Sequence, residues 1–483
     1  MKRIFVVLLI GLILSTSFAV PVYANSGQRY WKGVDATGAV VFDEKCPIEV
    51  TKEVLTFDIL EFPKTYYFGV KDFLAYTGKV TAEYTFYNPS DYTVTATLAF
   101  PFGTKPDYAE ETDYETQTHI PFADAYKYDI TLNGETIDKE VRYTLKPFDS
   151  QFKWSEDVIR LSDSYIEDDF YSPTMTVTEY TYRVDTIEDG ARYIGSDWNG
   201  GDGNSRIFFS RRVEFYEKKD GSGRFSMMVN KYDEVSVYVI GKPLSTPLEW
   251  KCYDDSDVEN RDAVSGKVSM GKTITMTLED FALANWHNKT GVSKVDWYNA
   301  VIGVFNAGGK DYPQYNFIAT YSYSANMDTN IFMKNLMRWY QYEITIEPKS
   351  SVTNIVTAPM YPQIDVGYNP DIYNYTYYLS PASTWTSFGE LEIIINTPFY
   401  ITENSIDGFT KTETGYTLKH SGLPEGELEF TLCTSENPIE PPKDTKLNIP
   451  IEAIIFFSIV GVVVILIGVT VFLIIRKKKT KKK

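Results

Sequence analysis

Residues 453–475 form a run of 23 residues without a charge, and this run constrains the chain more than any other segment. A helix of that length rises about 34 Å, enough to cross a hydrocarbon core of about 30 Å. Residues 476–483 follow at once and hold seven basic residues in eight positions. Because basic residues concentrate on the cytoplasmic side of a span, the sequence predicts a transmembrane helix at 453–475 and a basic cytoplasmic tail at 476–483.

The N-terminus is typical of a secretory signal. Lys2 and Arg3 precede an apolar run at residues 4–14, and a small residue, Ala24, stands at a suitable cleavage position. We predict a signal peptide at 1–24, with an uncleaved N-terminal anchor as the alternative. Together the two ends predict a single-pass plasma-membrane protein with an extracellular N-terminus and a cytoplasmic C-terminus. Its expected partner at that end is the membrane itself, which the C-terminal helix would span.

The charge of the chain excludes one class of partner. There are 47 basic and 65 acidic residues, which give a net charge of −18. Proteins that bind nucleic acid need lysine and arginine to replace the counterions of the phosphates, so we expect no nucleic acid partner. An acidic ectodomain suits divalent cations or a basic partner, or simply keeps the protein soluble.

Three cysteines, Cys46, Cys252 and Cys433, show neither a CxxC motif nor metal-ligand spacing. An odd number leaves at least one thiol unpaired. A bridge between Cys46 and Cys252 would join two distant regions, and the sequence leaves the pairing open. Stability must therefore come mainly from packed cores.

The sequence pattern in the N-terminal part of the predicted ectodomain indicates a β-sandwich at 25–147. Residues 80–87 and 94–100 alternate apolar and polar side chains around an Asn88-Pro89 turn, which predicts an antiparallel hairpin. A second hairpin is predicted at 130–137, where Asn133-Gly134 supplies two residues that tolerate positive φ.

The remainder predicts further strands and a few helices. Region 148–347 is mixed β/α, with helices at 293–306 and, more weakly, at 331–341. Region 348–436 returns to β, and 437–452 is a Pro-rich stalk of extended geometry. The fold class is thus mainly β: a multi-domain ectodomain with an N-terminal β-sandwich, a mixed β/α middle region and a C-terminal β region, followed by one transmembrane helix.

Signatures of common enzymes are missing from the sequence. It contains no HExxH, GxSxG, Walker or Rossmann motif. The three histidines, His119, His287 and His420, are far apart and have no neighbouring cysteines or paired carboxylates. We therefore name no catalytic and no cofactor-binding residue, and favour a protein that is not an enzyme.

Two acidic segments are candidates for calcium. Asp254, Asp255 and Asp257 are the metal candidates that we name, and Glu259 and Asp262 follow within nine positions. The Gly-rich segment 197–204 also offers several side-chain oxygens. Calcium needs six to eight oxygen ligands on a backbone that curls around it, and neither segment has EF-hand spacing. An ordinary solvated loop is therefore the favoured interpretation of both segments, and calcium is the one cofactor considered.

Aromatic residues make up 15% of the chain. Tyr373, Tyr375 and Tyr377 alternate along one predicted strand, where exposed rings would stack on sugars. The same alternation is also typical of an ordinary strand with buried tyrosines.

Two stretches resemble known proteins. Residues 80–89, followed by Leu98-Ala-Phe-Pro-Phe102, are similar to the strand–turn–strand–Phe-Pro pattern of vault/inter-α-trypsin-type (VIT) domains. Residues 378–385 and 388–393 resemble a segment of uncharacterised, exported surface proteins of Gram-positive bacteria. The resemblance covers about 40 residues, implies a cell-envelope β-protein and implies no catalytic residue. The Asp-x-Ser-x-Ser motif of the domain that usually follows a VIT domain is missing from the sequence.

These observations predict an extracellular, membrane-anchored protein of the cell envelope with a structural, binding or adhesive role and no enzymatic activity. Its expected partner is a cell-envelope glycan or protein. A glycan-binding module or carbohydrate-active enzyme is the first alternative, and a calcium-stabilised adhesin is the second. Buried paired carboxylates in an aromatic cleft would favour the enzyme.

Overall fold

In the computed structural model the described residues are 46–63, 77–103, 128–145, 160–201, 203–255, 262–287, 291–319, 332 and 336–440, together with the backbone of five two-residue strands. The predicted signal peptide, the predicted span at 453–475 and the basic tail lie outside these residues, as does most of the predicted stalk. Among the helices that are described, none is long and apolar enough to cross a membrane.

The described part of the chain is mainly β. Its strands are β1 (Tyr30–Trp31), β2 (Ala36–Thr37), β3 (Val40–Val41), β4 (Glu49–Ile59), β5 (Gly78–Tyr87), β6 (Val94–Gly103), β7 (Thr112–Asp113), β8 (Thr118–His119), β9 (Ile130–Leu132), β10 (Glu135–Ile137), β11 (Glu140–Leu145), β12 (Thr176–Ile187), β13 (Tyr193–Trp198), β14 (Ser205–Phe209), β15 (Glu214–Glu217), β16 (Gly223–Met228), β17 (Glu234–Gly241), β18 (Lys251–Tyr253), β19 (Gly266–Thr277), β20 (Leu336–Ile346), β21 (Ser351–Met360), β22 (Gln363–Asp365), β23 (Ile372–Tyr378), β24 (Phe388–Asn396), β25 (Tyr400–Asn404), β26 (Thr410–Lys411), β27 (Gly415–Ser421) and β28 (Leu428–Cys433). The helices are α1 (Leu278–Ala282) and α2 (Lys294–Gly308), with 3-10 turns at Pro313–Tyr315 and Ser380–Thr384.

One large sheet joins strands from the N-terminal and C-terminal parts of the described chain. Its strand order is β10-β9-β21-β5-β4-β24-β27-β26, and β4 pairs in parallel with β24. It packs against the sheet β11-β20-β6-β3 and against the sheet built around β22, β23 and β28, with one continuous hydrophobic core between them. Strands from the predicted regions 25–147 and 348–436 therefore share a sheet and a core.

The first predicted hairpin has the right strands but the wrong pairing. β5 pairs with β4 and β21, whereas β6 pairs with β20 and β3 in the opposite sheet. The connection is an arch between two sheets, and Asn88 holds it together. Its buried amide Nδ2 donates to the carbonyls of Tyr92, Ile346 and Glu347 at 2.8–3.2 Å. Alternation fixes which face of each strand is buried, but it does not distinguish a hairpin from an arch.

The second predicted hairpin is confirmed. β9 and β10 pair in antiparallel register around Asn133 and Gly134, whose φ angles are 51° and 84°. Asn and Gly are the residues that accept these angles most readily.

The middle of the chain forms three layers. The sheet β14-β17-β12-β19 lies between the sheet β15-β16-β13-β18 on one face and helices α1 and α2 on the other. The predicted helix at 293–306 is confirmed as α2, whose first turn is capped because the Ser293 side chain accepts a hydrogen bond from the Asp296 amide. Trp297, Val301 and Phe305 recur along its buried face.

The weaker helix prediction at 331–341 is wrong for residues 336–341, which belong to strand β20. Residues 336–340 are all buried, because β20 is a central strand between β11 and β6 and both of its faces are covered. A strand buried on both faces loses the two-residue alternation, so its apolar run cannot be distinguished from a helix by periodicity.

Candidate functional site

The edge of one sheet in the middle region is only half covered. β18 pairs with residues 193–195 of β13, the first half of that strand. Residues 196–198 continue with a paired strand on the other side only, in β16. A cavity of about 640 Å³, here called the edge cavity, lies at this step. It is lined by residues 195–199 and 201, Ser205, Ser222, Arg224, the loop 242–249, Lys251 and Tyr253.

A charged cluster lies on the floor of the edge cavity. Asp197 and Arg224 are cross-strand partners, and Arg224 Nε donates to Asp197 Oδ1 at 2.6 Å. Lys218 Nζ donates to the same oxygen at 2.7 Å. Burial alone would raise the pKa of Asp197, but the hydrogen bonds and charges of Arg224 and Lys218 outweigh it and hold the pKa below its usual value. Asp197 therefore stays ionised and fixes both cations.

Gly195 makes room for an aromatic ring beside this cluster. A Cβ atom at position 195 would lie 2.9 Å from Cε2 of Tyr253, so the ring rests directly against the strand. The guanidinium carbon of Arg224 lies 5.8 Å from the centre of the same ring. Any side chain at position 195 would displace Tyr253 and alter the floor of the cavity.

One wall of the edge cavity is the Gly-rich segment after β13. Gly200, Gly201 and Gly203 all have positive φ, which explains why glycine occurs there. Asn316 Nδ2 donates to the Gly200 carbonyl at 2.5 Å, and Trp198 Nε1 donates to the Tyr315 carbonyl at 2.6 Å. The wall is thus fastened to the chain after α2.

The other wall is the loop 242–249, which contains Pro243 and Pro247. The Leu244 amide donates to the Tyr180 hydroxyl at 3.1 Å, and the Leu248 amide donates to the Tyr182 hydroxyl at 2.9 Å. Both tyrosines are buried and belong to β12. Two prolines and two anchored amides restrict this loop, so the cavity has defined walls on both sides.

A second cavity, of about 660 Å³, lies beside β6, β11 and β20 of the sandwich and includes Thr97, Lys139, Asp163, Gln341 and Tyr342. Its buried polar groups are already used within the protein. The Tyr342 hydroxyl donates to Asn354 Oδ1 at 2.9 Å, and Gln341 Oε1 accepts from Arg142 at 3.0 Å. We therefore interpret the second cavity as part of the packing between elements, and the edge cavity is the stronger candidate for a ligand site.

The calcium candidates are placed only in part. Asp254 is exposed and Asp255 is half-buried just after β18, whereas Asp257 lies outside the described residues. Within the described ranges no group of three or more His, Cys, Asp or Glu side chains is positioned to hold a metal. Calcium binding through Asp254, Asp255 and Asp257 stays a prediction. In the other candidate segment, Asp197 is held by two cations, and Asp202 is not described.

The tyrosine row is part of the core. Tyr373, Tyr375 and Tyr377 are at most 8% exposed, so they pack between sheets and form no platform for sugars. Among the histidines, the side chain of His119 lies outside the described part, and His420 Nδ1 lies 2.9 Å from the Gly422 carbonyl oxygen. Cys46, Cys252 and Cys433 are all buried, and none of these three described residues forms a disulfide bond.

Most residues of the edge cavity carried no signal in the sequence. The segment 197–204 was singled out, though for calcium, and it does line the cavity. Arg224, Lys251 and Tyr253 come from other strands and are brought together only by the register of β13 with β16 and β18. A lysine followed two positions later by a tyrosine, as Lys251 and Tyr253 are, is too common a pattern to indicate a binding site.

Comparison with known proteins adds little. No protein-family model and no curated protein sequence matches the chain. Among solved structures, a "putative nutrient binding protein" from Legionella pneumophila is similar with a TM-score of 0.29 and 10% identity, over 84% of this chain and 72% of that chain. A likeness at that TM-score carries no argument for the fold or the function of this chain.

Proposed function

We propose that the protein is a non-enzymatic, membrane-anchored binding protein of the cell surface, and that it binds a hydroxyl-rich ligand, a glycan, in the edge cavity. The observation that carries this proposal is the cavity itself. Its volume of about 640 Å³ lies within the roughly 300–1,000 Å³ typical of small-molecule sites. That volume suits one or two sugar rings.

The lining of the cavity fits a ligand with many hydroxyl groups. Ser222, Ser245 and Thr246 present hydroxyls, and Asn199 presents an amide. Each of these groups both donates and accepts hydrogen bonds, as sugar hydroxyls do. Tyr253 and Trp198 add aromatic surface to the same cavity. Polar groups that fix orientation beside aromatic surface are the usual composition of a ligand site.

Catalysis is not part of the proposal. General acid–base work on a glycan needs two carboxyl groups that face one bond, one of them with a raised pKa. In the edge cavity Asp197 is held ionised by Arg224 and Lys218, and Glu249 is exposed. Among the described residues, the two buried carboxyls Glu53 and Asp296 belong to different cores.

Filling the cavity tests this function. We expect full-length protein in detergent to bind members of a broad glycan array, and the variant Ser245→Trp to lose that binding, because an indole would occupy the space of one ring. The matched control is Thr412→Trp, an equally exposed position in a turn of the sandwich. Binding that survives Ser245→Trp, or no binding by the unchanged protein, would overturn the proposal.

The anchor is tested separately. If residues 453–475 span the membrane with the basic tail inside, protease added to intact cells should remove the ectodomain and leave a small membrane-bound fragment. A tag placed after Lys483 should stay protected and report that fragment on a blot. Full protection of the ectodomain would contradict the proposed topology.

A further inference from the structure

Charge in the edge cavity runs against the trend of the chain. The protein as a whole carries a net charge of −18. The cavity is lined by three cations, Arg224, Lys242 and Lys251, against two carboxylates, Asp197 and Glu249. Lys218 also contacts Asp197, at 2.7 Å, so the negative charge of that carboxylate is balanced by two cations, Arg224 and Lys218. A concave site with an excess of one sign concentrates the field and favours a ligand of the opposite sign.

Lys251 is the cation best placed to meet a ligand. The residue is exposed, and among the described residues its side chain forms no ion pair or hydrogen bond. Its cross-strand partner is Gly195, so the neighbouring strand places no side chain beside the ammonium group. The long lysine stem therefore reaches over the floor of the cavity without steric hindrance from β13.

Arg224 is held more rigidly. Its Nε is fixed against Asp197 Oδ1 at 2.6 Å, and its guanidinium carbon lies 5.8 Å from the centre of the Tyr253 ring. These two contacts orient the plane of the guanidinium group before any ligand arrives. A planar, pre-oriented guanidinium is suited to carboxylate and phosphate oxygens.

Resting on the function proposed above, we infer that the ligand is an acidic saccharide, a sugar that carries a carboxylate or a phosphate ester. Arg224 and Lys251 bind its anionic group. Ser222, Ser245 and Thr246 bind the ring hydroxyls, and Glu249 accepts hydrogen bonds from hydroxyls turned toward it. Because the whole chain repels anions, recognition is confined to ligands small enough to enter the cavity.

The test compares matched pairs of sugars on full-length protein in detergent. Each neutral oligosaccharide is paired with its uronic acid and with its phosphate ester, and affinities are measured by calorimetry at 50 and 500 mM salt. We expect the acidic member to bind at least tenfold more tightly at low salt and to lose most of that advantage at high salt. The uronate and phosphate arms distinguish the two sources of negative charge.

Two variants assign the effect to residues. Arg224→Gln should weaken binding of the acidic member by about tenfold or more, since a hydrogen bond to a charged group is lost. Lys251→Gln should weaken it by about threefold to tenfold without a change in melting temperature, because the Lys251 side chain pairs with none of the residues that the structure describes. Lys272→Gln, an exposed lysine on β19, is the charge-matched control and should change nothing.

The outcomes separate this inference from the proposed function. Neutral and acidic members bound equally, with Lys251→Gln silent, would overturn the inference and leave glycan binding in the cavity intact. No binding of any member would overturn both. Preference for the acidic member that persists unchanged in both Arg224→Gln and Lys251→Gln would also overturn the inference, because the anionic group would then be bound elsewhere.

Discussion

Asp296→Ala is expected to lower the free energy of unfolding by about 3–5 kcal/mol, because it removes the buried counter-charge of a buried guanidinium. Arg142 lies on β11 and Asp296 in the first turn of α2, and their side chains are 3% and 0% exposed. Arg142 Nη2 donates to Asp296 Oδ1 at 2.9 Å, and the Tyr143 amide donates to Oδ2 at 3.0 Å. The pair thus joins the sandwich to the helical layer of the middle region.

The matched control is Asp163→Ala. Asp163 Oδ1 accepts from the same Arg142, through Nη1 at 2.9 Å, but its own side chain is 90% exposed. An exposed partner of this kind is worth roughly 0–1 kcal/mol. Urea unfolding followed by circular dichroism and tryptophan fluorescence measures both variants. Equal losses for the two would contradict the view that burial of Asp296 gives this contact its effect.

A replacement of both partners refines the same test. The double variant Arg142→Met with Asp296→Leu removes the charges together and fills similar volume, and such exchanges are often neutral or stabilising. We therefore expect it to recover most of the loss seen in Asp296→Ala. A double variant as unstable as the single one would show that the ordering of Tyr143 and of the first turn of α2 matters more than the ion pair.

The elements that the sequence predicted well share one property: a single buried face, or a turn with its own chemistry. β5 and the first half of β6 bury alternate residues, and α2 buries one face that includes Trp297, Val301 and Phe305. The Asn133-Gly134 hairpin needs only its two positive φ angles. In each of these cases the information lies within about ten residues of the chain.

Predictions that depended on long-range pairing did not follow from the sequence. The arch at Asn88 differs from a hairpin through contacts with Ile346 and Glu347, more than 250 residues away. β20 resembled a helix because its neighbours bury both of its faces. The parallel pairing of β4 with β24 joins segments separated by more than 300 residues. No local pattern encodes such partners.

The candidate site was anticipated only through its glycines. The segment 197–204 attracted attention because glycine and acidic residues cluster there, and the structure uses those glycines to form a wall. The cations of the cavity are separated from it by 20 to 50 residues and are ordinary surface residue types. The cavity exists because of how β13 pairs with β16 and β18. That pairing cannot be read from the local sequence, so the structure was needed to find the cavity.

A second large effect is expected at Glu53, the one buried carboxyl among the described residues of the sandwich core. It sits at an inward position of β4, 1% exposed, directly across from Tyr84 on β5. Burial raises its pKa from 4.5 to about 8, and this outweighs the interactions with the Tyr84 and Tyr377 hydroxyls, both of which favour the ionised form. The folded protein therefore keeps Glu53 protonated at neutral pH.

The sign of the pH effect follows from proton binding. Below pH 4.5 the carboxyl is protonated in both states, and its burial costs nothing in ionisation. Between pH 4.5 and about 8 the folded state holds a proton that the unfolded state has released, so the free energy of unfolding falls as pH rises. The slope is about 1.4 kcal/mol per pH unit, and the full window amounts to roughly 5 kcal/mol.

Glu53→Gln removes this ionisation. Comparison with the unchanged protein therefore separates the effect of Glu53 from that of the other titratable groups. The amide brings two donors in place of one, which costs about 1–2 kcal/mol at every pH. The variant should thus be less stable than the unchanged protein at pH 5 and more stable at pH 8.5, with the two stability curves crossing between these values.

Glu392→Gln, on the neighbouring strand β24, is the control of opposite sign. Hydrogen bonds from Lys52 and Lys419 hold the pKa of Glu392 below its usual value, so its contribution is lost only as the pH falls below 4.5. Urea unfolding at pH 5, 7 and 8.5 measures all three proteins, and parallel curves for the unchanged protein and Glu53→Gln would mean that Glu53 ionises in the folded state as it does in the unfolded chain.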